Sequence, residues 1–156
     1  MKGDLLWRAS VYDITINTNK STVNESSELI EKITNRLETY IKTVLNKNAV
    51  KLLIQPIGGK SYKVKNISSN SAIEANMDGK ALLHSHTIIR IEHEGKIKLN
   101  IAAVKTTCYK YMEEVLTIDG DFKKPYVNIK AISDTAFNME NYISSHHRDA
   151  QFIKQF

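Results

Sequence analysis

The chain has 156 residues and a formal net charge of +5, with 22 Lys plus Arg against 17 Asp plus Glu. That length suits one domain with a hydrophobic core of its own, and 42% hydrophobic with 25% charged residues excludes a disordered, collagen-like or membrane-embedded chain. The modest basic excess permits a polyanionic partner without demanding one.

The first eight residues contain no long apolar stretch, so no targeting segment is visible at this end. Trp7 to Thr18 reads as a strand of β-branched and apolar residues closed by Asn17-Thr18-Asn19. Ser21 to Asn24 offers helix caps, and Leu29, Ile30, Ile33, Leu37, Tyr40, Ile41, Val44 and Leu45 follow at i, i+3, i+4 spacing. This predicts an amphipathic helix ended by Asn46-Lys47-Asn48. Val50 to Ile57 reads as a short strand, and Tyr62 to Ile67 as another. Ala72 to Met77 runs into Asp78-Gly79, a hairpin signal, and Leu82 to Glu92 is the longest convincing strand.

Gly95 marks a turn, after which Ile101, Val104, Cys108, Tyr111, Met112 and Val115 predict a helix from 101 to 116. Cys108 is the single cysteine, which excludes an internal disulfide and a Cys-based zinc cluster and suits a reducing, intracellular setting. Tyr126 to Ile132 reads as a strand, and Ser133 or Asp134 caps a last helix through Phe137, Tyr142 and Ile143. No apolar run reaches the ~18 residues of a membrane span. Clustered strands separated by helices predict an α+β fold, a largely antiparallel central sheet flanked by helices, in one domain over residues 1–156.

Three places can carry chemistry. In His84-Ser85-His86 the two histidines sit two apart on a strand, so both imidazoles face one way and can grip a divalent metal together. If Asp78-Gly79-Lys80 is a three-residue turn, Glu74 lies opposite His84 and adds a carboxylate, favouring Mg²⁺ or Mn²⁺ over zinc. Tyr142 is a candidate nucleophile once a cation lowers the cost of its phenolate, and His146 stands at i+4 as a metal ligand or proton carrier. Separately, Lys60, Lys63 and Lys65 alternate around Tyr62 and could follow a phosphate backbone while the ring stacks on a base; lysines guarding a solvated edge strand are the slightly favoured reading, since no base-reading motif is visible.

These parts, in this order, resemble the HUH endonuclease superfamily, the rolling-circle replication initiators (Rep-like nicking domains) and their relatives. The strand Val11–Asn19 is similar to the first motif, His84-Ser85-His86 with upstream Glu74 to the second, and Tyr126–Asp134 followed by Tyr142 to the third. Ser85 stands where the family usually has a bulky apolar residue, and Ser145 where initiators usually carry lysine. His146 occupies the position at which small single-tyrosine transposases place a metal ligand, so Glu74 and His146 compete as third ligand.

The resemblance implies a ferredoxin/RRM-like HUH nuclease fold and a metal-dependent nickase and strand-joining enzyme. His84, His86 and Glu74 or His146 would hold Mg²⁺ or Mn²⁺, and Tyr142 would form a 5′-phosphotyrosine intermediate at an origin. The implied partners are single-stranded DNA at an origin or hairpin, a separate helicase and host polymerase, and a second copy of the chain as a homodimer, with no membrane. The setting would be the cytoplasm, or the nucleus of a host cell for a viral protein. No Gly-x-x-x-x-Gly-Lys loop is present, so no helicase domain is expected in this chain. Transposition, conjugative mobilisation and a non-catalytic nucleic-acid-binding domain on the same scaffold are the alternatives.

Overall fold

A computed structural model describes residues 7–75, 82–133 and 151–156, apart from the side chains of Gln151 and Phe152. Its frame is a five-stranded antiparallel sheet. The strands are β1 (Arg8–Asn17), β3 (Lys63–Ala75), β4 (His84–Glu94), β8 (Tyr126–Ile132) and β9 (Gln151–Gln155), in the order β8-β1-β4-β3-β9. Among the described residues two α-helices, α1 (Ser27–Val44) and α2 (Ile101–Leu116), make the architecture α+β. Short strands β2 (Ile54–Pro56) and β5 (Ile97–Leu99) pair with each other, as do β6 (Thr117–Ile118) and β7 (Asp121–Phe122).

Period-two alternation divides the sheet into two unlike faces. Ile14 and Ile16 of β1, Ile73 of β3, Ile89 and Ile91 of β4 and Val127 of β8 turn to one side. There they join Ile33, Leu37, Tyr40 and Ile41 of α1 and Val104, Cys108, Met112 and Leu116 of α2 in a single core. Each such side chain taken fully from water contributes about 1.5–3 kcal/mol, so this face holds most of the fold's driving force. Burial pushes the Cys108 thiol up to about 12, which keeps it protonated. The two helices are locked together by polar contacts as well. Tyr40 donates its hydroxyl to Val104 O at 2.8 Å, and Arg36 Nε donates to Tyr111 O at 2.9 Å while its guanidinium lies over the Tyr111 ring. Among the described residues the opposite face has a small apolar group, Val11, Ala72 and Ile88 backed by Ile132.

Several elements follow the sequence pattern closely. Helix α2 and strand β8 have the expected limits, and Asn100 caps α2 by accepting from Ala103 N. Ser26, rather than a residue of 21–24, caps α1 by accepting from Leu29 N. Others differ. Residues Ala49–Leu53 form a 3₁₀ turn, leaving only Ile54–Pro56 as strand. The two strands expected at 62–67 and 72–77 are one long strand, β3, because β4 pairs along its whole length. Gly95, at φ +84°, reverses the chain into β5; a Cβ there would lie 2.8 Å from Ser61 O, so only glycine fits. Strand β9 was not expected; it pairs with β3, and Lys154 reaches Glu38 of α1 at 2.8 Å.

Candidate metal centre

Pairing across β3, β4 and β1 assembles the site. Glu74 is directly opposite His84, as the three-residue turn predicts, and His84 is opposite Asn17. One pleat further along, His86 lies between Ala72 and Thr15. Residues paired in this way project to the same side, here the face opposite α1 and α2.

On that face Glu74, His84 and His86 each bring one ligand atom to within 4.8 Å of the others. Nε2 of His84 is 3.1 Å from Glu74 Oε1, and Nε2 of His86 is 3.6 Å from the same oxygen. The other ring nitrogens point away to acceptors of their own. His84 Nδ1 donates to the carbonyl of Leu82, and His86 Nδ1 donates to Asp13 Oδ1 at 3.2 Å, with Thr15 Oγ1 also 3.2 Å away. Such outer partners fix the tautomer and aim of a metal-binding histidine. With both Nδ1 atoms acting as donors, neutral rings would turn two lone pairs towards a carboxylate oxygen. That convergence calls for a cation, and a divalent ion fits two imidazoles and a carboxylate.

Burial sharpens the demand. Glu74 is fully buried and Asp13 is 7% exposed, while the histidines are half-buried. Two carboxylates away from water need positive charge close by. Burial alone would lower the His84 pKa, but the Glu74 hydrogen bond, the Leu82 carbonyl and the Glu74 charge outweigh it and leave it raised from 6.5. In the absence of a metal, the Glu74 carboxylate thus favours the protonated form of His84.

Asp13 is the contributor that the sequence reading passed over. It belongs to the strand that resembles the first motif, and its two-residue spacing from Thr15 puts both on one face. Nothing local connects it with His86, 73 positions away; only the pairing of β1 with β4 does.

Of the remaining expected residues, those that are described stand apart from the cluster. Tyr142 and His146 lie outside the described residues, so the described part of the third-ligand choice is Glu74. Lys63 is opposite Glu94, ten residues along β4 from His84, or about 30 Å at ~3.3 Å per residue. A bulge between Val64 and Asn66 interrupts the alternation at Lys65, whose ammonium lies 5.6 Å over the Trp7 ring. Lys60 is exposed ahead of the strand. Tyr62 is half-buried, packs against the core and donates its hydroxyl to Ile54 O at 3.2 Å. Its ring is thus engaged in packing at the far end of β3 from the metal cluster.

Among the described residues no helix is long and apolar enough to cross a membrane. A comparison with known protein families finds no match to this chain, and a comparison with curated proteins finds none either.

Proposed function

We propose that this chain is a metal-dependent single-strand DNA endonuclease and strand transferase of the HUH type, nicking origin DNA through Tyr142 to initiate rolling-circle replication. The observation that carries this reading is the convergence of Nε2 of His84 and His86 on Glu74 Oε1, on the face of the antiparallel sheet opposite α1 and α2. The third-motif strand adds support, since β8 adjoins β1 and so lies two strands from the histidines.

Glu74, His84 and His86 would hold Mg²⁺ or Mn²⁺, which supplies Lewis-acid polarisation of a phosphate oxygen when bound. Asp13 and the Leu82 carbonyl hold the two imidazoles in the orientation that presents Nε2. Tyr142 gives up its phenolic proton and attacks the scissile phosphorus. A Tyr–O–P bond forms as the P–O3′ bond breaks, and the leaving 3′ oxygen takes up a proton. One phosphoester replaces another, so the 3′-hydroxyl can prime synthesis or reverse the step without ATP.

The test is incubation of the chain with Mn²⁺ and a randomised pool of labelled single-stranded DNA, followed by a denaturing gel. A covalent protein–DNA adduct is expected for the natural chain, and none for Tyr142→Phe, which should still bind DNA. An adduct from Tyr142→Phe overturns the nucleophile. No adduct from the natural chain, with metal bound, overturns the nuclease reading.

A further inference from the structure

The face opposite α1 and α2 carries a large exposed aromatic in register with Glu74, His84 and His86. Tyr126, the first residue of β8, is 63% exposed, whereas Val127 beside it turns into the core. Tyr126 is opposite Asn17, Asn17 is opposite His84, and His84 is opposite Glu74. These four residues form one row across four strands and project to one side. Tyr126 is two strands from His84, about 10 Å at ~4.8 Å per strand.

A basic groove is lined in part by residues 121–124, which lead into Tyr126. An open groove of about 590 Å³ runs between the loop after β1 and the segment entering β8, with Lys20, Lys123 and Lys124 set against Asp121. Lys123 pairs with Asp121 at 2.6 Å and Lys20 with Glu25 at 3.8 Å, while Lys124 lies 5.4 Å over the Tyr109 ring. The exposed Lys123 pair is worth little in water and can yield to a phosphate.

The groove does not drift relative to the cluster. Thr18 Oγ1 donates to Leu83 O at 2.6 Å, and Leu83 N donates to Lys20 O at 2.7 Å. The loop is therefore pinned to the residue directly before His84. A solvent-facing ring preceded by two lysines suits a base and its neighbouring phosphates; a protein partner would need a broader apolar face.

We infer that Tyr126 is a stacking platform for an unpaired DNA base, with Lys123 and Lys124 neutralising adjacent phosphates, so that the strand crosses the sheet towards Glu74, His84 and His86. This rests on the nuclease reading of the cluster and adds the path of its substrate. Every base has a π-face, so the platform tolerates sequence and discriminates against duplex, whose bases are already stacked.

The test measures metal-free binding of a labelled thymidine oligomer of about 16 nucleotides, the upper end of a one-domain footprint, by fluorescence anisotropy. Tyr126→Ala should raise Kd about 10-fold or more, and Tyr126→Phe, which keeps the ring, should stay within about 2-fold. Lys123→Ala with Lys124→Ala should lower the salt dependence of binding by roughly two phosphate contacts. Duplex of equal length should show no effect of Tyr126→Ala. Unchanged single-strand Kd for Tyr126→Ala, in a chain that still forms the covalent adduct, overturns the platform alone. A natural chain that binds no single strand and forms no adduct overturns the nuclease reading and the platform together.

Discussion

Glu74 sits fully buried against two half-buried imidazoles, and a carboxylate in that position is stable only beside positive charge. A metal that binds the folded chain alone must therefore raise its melting temperature. At 100-fold above Kd the gain is about 2.7 kcal/mol, or roughly 5–10 °C for a domain of this size. Glu74→Gln should lose most of that rise, and a calorimetric scan with and without Mn²⁺ reads it directly. A rise that survives Glu74→Gln places the ion elsewhere. The residue between the histidines points the other way. Ser85 is fully buried on the helix side, and its hydroxyl has no hydrogen-bond partner among the described residues. That is the position the resembled family usually fills with an apolar side chain. Ser85→Ala should therefore stabilise the chain by about 1 kcal/mol in urea titration, since it removes a desolvated hydroxyl at little cost in volume.

Elements were legible wherever their signals are local. Helix α2 begins at Asn100 because that side chain meets an orphan amide three residues on, and the same residue donates its own N–H to Leu53 O at 2.7 Å. Asn100→Ala should cost about 1 kcal/mol through the lost cap, seen as a shifted urea midpoint with unchanged slope. An equal midpoint would mean that the cap is replaced by water at no cost. Signals were absent where pairing, not composition, makes the element. Ser68-Ser69-Asn70-Ser71 looks like a loop, yet it is the middle of β3 because β4 supplies a continuous partner. Val50 to Leu53 is apolar enough for a strand but turns as 3₁₀, with Val50 and Leu53 buried and Lys51 and Leu52 exposed. A run of four apolar or amphipathic residues satisfies either period, and packing chooses.

At the scale of the whole molecule the two sheet faces divide the work. Helices cover one face and supply cohesion, while the other presents the candidate metal ligands and Tyr126. His93 belongs to the covered side, 1% exposed, with Nε2 2.7 Å from Ser10 Oγ. Burial lowers its pKa from 6.5, an effect reinforced by the charge of Arg8 and partly offset by nearby backbone groups. Its contribution to stability is thus present above about 6.5 and lost as pH falls towards the lower folded value, because the unfolded chain takes up the proton first. The melting temperature of the natural chain relative to His93→Gln should therefore decrease as pH falls from about 7.5 to 5.5. A difference that stays constant over that window would show that burial does not hold this ring neutral.

The sequence by itself determined the fold class, the two described helices, the strand carrying His84 and His86, and the strand Tyr126–Ile132. Each depends on periodicity, caps or turns within a few residues. It also placed Glu74 opposite His84, because a short hairpin transmits register from its turn to both arms. Only the tertiary structure decided that Asp13 reaches His86, that Tyr126 shares a row with the cluster, and that Tyr62 is engaged in packing. Those outcomes depend on which distant strands become neighbours. That choice is made by the burial of Ile14, Ile89, Ile73 and Val127 beneath two helices, and no single segment encodes it.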